Sequence, residues 1–102
     1  MYAVVRTYSG QGAADVFDVI VRLQDEVRAL FEEIPGFVGY TAVRSGNGGS
    51  TMSVCEDKAG TDETTRRAGA FLKDKMSGPL DPPSITEGEA VLQFGAATVP
   101  AV

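Results

Sequence analysis

The chain has 102 residues, 43% of them apolar, with a formal charge of −5 and a sequence pI near 4.5. That is enough for one small domain, residues 1–102, whose buried fraction of surface is modest. The net negative field repels phosphate backbones and anionic headgroups, and no run of Lys or Arg reverses it locally, which argues against nucleic-acid and membrane-surface roles.

Histidine is absent and Cys55 is the single cysteine. This removes Ser-His-Asp and Cys-His hydrolysis, histidine-bearing zinc sites and haem on a proximal His, and it leaves no intrachain disulfide. No metal and no cofactor are expected. No apolar run approaches the ~20 residues of a membrane span, and the N-terminus lacks the basic and apolar segments of a secretory signal. A cytoplasmic protein is the expectation.

Residues 2–8, YAVVRTY, combine aromatic and β-branched types over a strand's length, and Ser9-Gly10-Gln11-Gly12 ends the pattern in a turn. Gly10-Gln11-Gly12 superficially matches the start of a dinucleotide fingerprint, but Asp15 holds the third glycine position and would face a pyrophosphate, so the stretch reads as a flexible turn. From Ala13 to Ile34, Val16, Val19, Ile20, Leu23, Val27, Leu30, Phe31 and Ile34 recur at three- and four-residue spacing, which predicts one amphipathic helix stopped by Pro35-Gly36. Residues 37–44 and 50–56 read as two strands flanking Ser45-Gly46-Asn47-Gly48-Gly49, a hairpin. Asp57 is placed to cap a second helix over roughly 59–77, closed by Gly78-Pro79. Pro82-Pro83 is a stiff connector, Glu89 to Phe94 (EAVLQF) predicts the last strand, and residues 95–102 form a tail.

The order β-α-β-β-α-β is the ferredoxin-like α+β arrangement, with two helices on one face of a four-stranded antiparallel sheet. The other face needs a cover, and a second copy of the chain is the economical one, so a homodimer is expected. Alternation places Arg6 and Tyr8 on one face of the first strand, and Tyr40 with Val38, Ala42 and Arg44 on one face of the second. Polar groups among apolar neighbours on central strands are the natural lining of a small-molecule pocket: Arg6 as an anion anchor, Tyr8 and Tyr40 as donors, and Gln93 of the last strand as an orienting amide. The competing reading makes these structural, with Arg6 paired at an interface and the tyrosines packing the core. Cys55, with Ser53 and Thr51 on its face, reads as a small packing residue. No catalytic residue is assigned.

The stretch from Ile34 to Ala68, together with the closing ITEGEAVLQF, resembles small bacterial proteins of the antibiotic-biosynthesis-monooxygenase-like group within the dimeric α+β barrel superfamily. The resemblance is carried by Pro35-Gly36-Phe37 at the second strand, Glu56-Asp57 after the third, and Arg66-Arg67-Ala68 in the second helix. It implies two ferredoxin-like subunits forming a barrel, often with a small-molecule pocket between sheet and helices. That group includes oxygenases that use no cofactor, haem-degrading enzymes that rely on an Asn, Trp and His constellation, and proteins with no assigned activity. This chain has no Trp and no His. Two functions are therefore weighed: a cofactor-independent oxygenase-like protein acting on a small aromatic or enol-type molecule, and a non-catalytic small-molecule-binding or oligomerisation module.

Overall fold

A computed structural model describes residues 1–95. Its elements are β1 (Tyr2–Tyr8), α1 (Ala13–Arg22), α2 (Gln24–Glu32), β2 (Phe37–Ser45), β3 (Gly48–Cys55), α3 (Lys58–Lys75) and β4 (Ser84–Glu89). The four strands form one antiparallel sheet in the order β2-β3-β1-β4. This is the ferredoxin-like α+β arrangement expected from the element order. The hairpin between β2 and β3 closes on Gly46-Asn47 alone, with Gly46 at φ 57, the glycine-first form of a two-residue turn.

All three helices lie over the sheet face that carries Val4, Arg6 and Tyr8. One apolar cluster joins Tyr8 to Ala13, Val16, Phe17, Val19 and Leu72, and a second joins Val27, Phe31 and Ile34 to Phe37 and Tyr40. These two destinations explain why the single helix expected over 13–34 is in fact two. The chain bends at Leu23 (φ −114, ψ 31) while keeping Leu23 N–H on the Val19 carbonyl at 2.9 Å and Val27 N–H on the Leu23 carbonyl at 3.0 Å. A straight rod would satisfy one cluster and carry its other end off the sheet; the bend serves both. Arg67 of α3 then ties down the end of α2, donating from Nη1 to the Leu30 carbonyl at 3.0 Å.

The turn at Gly10-Gln11-Gly12 behaves as a turn. Both glycines have φ near +80, and the Gln11 N–H donates to Asp81 Oδ2 at 3.0 Å. A side chain on Gly12 would meet the Pro79 carbonyl at 2.5 Å.

The last strand is a correction. It was expected at 89–94 and lies at Ser84–Glu89, paired with β1 from Thr7↔Ser84 to Tyr2↔Glu89. The ladder is used up at Glu89: the Ala90 N–H reaches the Met1 carbonyl at 2.9 Å, and β1 offers no further partner. The strand-like run that follows consequently leaves Val91, Leu92 and Phe94 exposed, at 91%, 77% and 80% of full accessibility. The tail expected over 95–102 lies outside the described residues beyond Gly95.

The sheet face away from the helices is occupied, by register, by Ala3, Val5 and Thr7 of β1, Gly39, Thr41 and Val43 of β2, Ser50, Met52 and Val54 of β3, and Ser84, Thr86 and Gly88 of β4. Not one of these side chains is charged, although charged residues make up 23% of the chain. Among the described residues, no helix is long and apolar enough to cross a membrane.

Candidate functional site

Arg6 sits at the centre of β1 with 1% of its surface exposed. Its guanidinium lies between β3 and α3, and every N–H it owns is donated to a hydroxyl. Nε donates to Thr65 at 3.2 Å, Nη1 to Thr51 at 3.3 Å and Ser53 at 3.2 Å, and Nη2 to Thr64 at 2.7 Å and Thr65 at 2.9 Å. A guanidinium has five N–H donors, so the set is complete. Strand alternation brings Thr51 and Ser53 to one side of the cation, and the i, i+1 pair Thr64-Thr65 brings two more hydroxyls from α3. Thr64 is itself held, since its hydroxyl donates to the Thr61 carbonyl at 2.7 Å and presents its lone pairs to Arg6.

The cage satisfies the donors without cancelling the charge. The ionisable groups that face Arg6 are Tyr8, Tyr40 and Cys55, all neutral at ordinary pH. Burial lowers the Arg6 pKa from its usual value, and those three groups oppose the shift. Burial likewise raises Tyr8, with Arg6 pulling the other way. Tyr40 is pushed up to about 12, first by burial, with Arg6 and the Thr51 hydroxyl as the restraining influences. The Cys55 thiol is raised by burial and by the Asp57 carboxylate. Neither tyrosine is suited to be a base near neutrality; each can donate a proton in a hydrogen bond.

Tyr40 marks the way in. An open groove of about 380 Å³ is lined by Ile20, Gln24, Val27, Arg28, Phe31, Glu32, Phe37 and Tyr40. It meets a narrow interior gap of about 20 Å³ bounded by Tyr8, Thr51 and Leu72, with Ile20, Val27, Phe31 and Tyr40 common to both. Phe31 and Tyr40, two of the shared lining residues, pack at 4.7 Å between ring centroids. Thr51 is the hydroxyl that the gap and the Arg6 cage share. At the mouth, Arg28 Nε and Glu32 form an exposed ion pair at 3.1 Å.

Of the four residues singled out from sequence, the structure brings three together. Tyr8 and Tyr40 both lie near the Arg6 guanidinium; Tyr40 lines the groove, Tyr8 lines only the interior gap, and Arg6 lines neither, with Tyr8 also packed edge-on to Phe17 at 6.1 Å. Gln93 is the correction: it lies past the end of β4, exposed and unpaired with the sheet, because the strand expected around it is displaced toward the N-terminus. The four cage hydroxyls had only a partial signal in the sequence. Thr51 and Ser53 share the Cys55 face by alternation, whereas nothing local connects Thr64 and Thr65 to residue 6. Among the described residues, no group of three or more Cys, Asp or Glu side chains is placed to hold a metal ion.

No family model and no curated protein matches the chain. Solved structures do match. SnoaB, a cofactor-independent oxygenase from Streptomyces nogalater, is 18% identical over 91% of this chain and 95% of its own, with a TM-score of 0.60. An antibiotic biosynthesis monooxygenase is 14% identical over 90% and 100%, with a TM-score of 0.58. The chain has the antibiotic-biosynthesis-monooxygenase-like fold. A protein of unknown function from Nitrosomonas europaea, NE2512, shares that fold as well, at 20% identity over 98% and 93% and a TM-score of 0.59. At such identities the likeness concerns the path of the chain, and the chemistry has to be argued from the groove.

Proposed function

We propose that this is a cytoplasmic, homodimeric α+β barrel protein that works as a cofactor-independent oxygenase-like protein on a small aromatic or enol-type molecule. The observation that carries the reading is the groove of about 380 Å³ lined by Tyr40, with apolar and aromatic walls from Ile20, Val27, Phe31 and Phe37. Clefts of this size with a few convergent polar groups are the usual small-molecule sites. An aromatic ligand would lie along Phe31 and Phe37, which are stacked at 6.1 Å, with its oxygen toward Tyr40.

The chemistry asks little of the side chains. An enolised substrate passes one electron to O2, and the two radicals join through a new C–O bond as a hydroperoxide. Cleavage of the O–O bond with loss of the remaining C–H proton releases water and leaves a carbonyl, so that CH2 and O2 become C=O and H2O. The protein's part is to exclude water, orient the ring and donate a hydrogen bond to the oxygen from Tyr40.

The dimer reading rests on the uncharged sheet face, with Ala3, Val5, Val43, Met52 and Val54 among its Thr, Ser and Gly residues, and on the exposed Val91, Leu92 and Phe94, which together offer a second copy an uncharged surface beside an unpaired strand-like segment. The alternative, a non-catalytic small-molecule-binding or oligomerisation module, draws support from the interior gap, whose 20 Å³ shows side chains already filling the space next to Tyr8.

Oxygen uptake with an enolisable aromatic ketone, run beside native mass spectrometry of the freshly purified protein, separates the readings. Uptake that is lost when Ile20→Trp plugs the groove is the expected result. A retained ligand without uptake selects the binding module, and uptake that survives Ile20→Trp sinks the assignment of the groove.

A further inference from the structure

A full positive charge is buried at Arg6 with no carboxylate among the described residues to balance it, an unfavourable state for an ion. Its five N–H groups are all taken by Thr51, Ser53, Thr64 and Thr65. A ligand therefore gains nothing from Arg6 by direct hydrogen bonding, yet it feels the field of the charge, since low-polarity surroundings screen it weakly. One of the cage residues, Thr51, lines the interior gap that shares Ile20, Val27, Phe31 and Tyr40 with the groove. Arg28 and Glu32 at the mouth neutralise each other, so the inner end is the positive end.

We infer that the groove takes its ligand as an anion, a phenolate or enolate whose oxygen points at Tyr40, and that Arg6 supplies the charge that selects it through the Thr51 hydroxyl rather than by contact. The inference rests on the groove being the ligand site. It names the ionisation state of what binds there and makes Arg6 a specificity-determining residue. For an oxygenase-like reaction this matters twice: the anion is the species that reduces oxygen, and holding it ionised inside the protein removes the need for a strong base.

The probes are 4-nitrophenol, whose phenolate absorbs in the visible, and 4-nitroanisole, a neutral analogue of the same ring. On wild-type protein 4-nitrophenol is expected to bind as phenolate, with its pKa lowered by about one unit, the size an opposite charge nearby produces. The anisole is then expected to bind about tenfold more weakly. Arg6→Met should abolish the lowering and Arg6→Lys should retain part of it. If Arg6→Met does not fold, Thr51→Val, which removes the hydroxyl between cage and gap, should reduce the lowering.

Equal binding of the two probes to wild type, abolished for both by Ile20→Trp, would leave the groove as a ligand site and overturn the anion inference. A lowering that persists in Arg6→Met or in Thr51→Val would overturn it too, as would one that disappears in Arg28→Gln, which would assign the charge to the mouth. No binding of either probe would overturn the site reading and this inference with it.

Discussion

Arg6 and Thr65 are joined twice across the strand-helix interface: Nε and Nη2 of the guanidinium both donate to the one Oγ1, at 3.2 and 2.9 Å. A fork on a single oxygen sets the plane of the guanidinium and holds α3 in register over β1. Replacing Thr65 by the near-isosteric Val leaves two N–H groups of a buried cation without acceptors, which costs about 1–3 kcal/mol. Urea denaturation of Thr65→Val should show a lower midpoint at unchanged slope. A wild-type midpoint would mean that water takes over the acceptor role, since Thr65 is only half-buried.

Tyr40 gives the protein an alkaline limit. Its pKa rises from the ordinary 10.0 to about 12 in the folded chain, chiefly by burial. Below pH 10 the phenol is neutral in both states and its contribution to stability is whole. Between 10 and 12 the unfolded chain loses a proton that the folded chain keeps, and stability falls. Tyr40→Phe should make the pH dependence of the unfolding midpoint shallower in that window, by about one proton's slope. A parallel decline in wild type and variant would show that Tyr40 titrates normally.

Gly60 in the first turn of α3 is where the helix comes down onto β3. A Cβ placed there would stand 2.7 Å from the Cys55 Cβ and 3.1 Å from its Sγ. Alanine normally favours a helix over glycine, yet here the backbone of β3 would have to give way. Gly60→Ala is expected to destabilise by about 1–3 kcal/mol, the range for overpacking. A more stable variant in thermal unfolding would show that the contact between α3 and β3 is looser than this.

The uncharged sheet face makes the proposed dimer easy to test. Met52 projects from the middle of β3, 39% exposed, with Val5 beside it on β1 and Thr41 on β2. Met52→Glu places a charge at the centre of the surface offered to a second copy, where pairing would strip it of water. Sedimentation should show wild type as a dimer and Met52→Glu shifted to monomer. A monomeric wild type would remove the dimer.

Much of the architecture was legible in the residues. Helical spacing, a hairpin within Ser45–Gly49, the Asp57 cap, whose carboxylate accepts from the Gly60 N–H at 3.0 Å, and the element order are local features, and local chemistry encodes them, whereas the closure of that hairpin on Gly46-Asn47 alone came from the pairing of Ser45 with Gly48. The misplaced last strand has a physical origin. EAVLQF has the stronger strand propensity, but a strand forms where it has a partner, and β1 pairs with Ser84–Glu89. Propensity describes a segment, whereas pairing describes two.

The Arg6 site divides along the same line. Sequence alone set a cation among apolar residues on a central strand, with Tyr8 on the same face of that strand and Tyr40 on another strand, in a chain whose missing histidines narrow the chemistry. Only the tertiary structure decided that four hydroxyls from β3 and α3 use all five of its donors while no carboxylate among the described residues balances its charge. Those hydroxyls lie 45 to 59 positions away along the chain, and no short-range pattern records which of them will meet a given guanidinium. That meeting is set by strand register and by where the helices settle, which depend on packing over the whole domain.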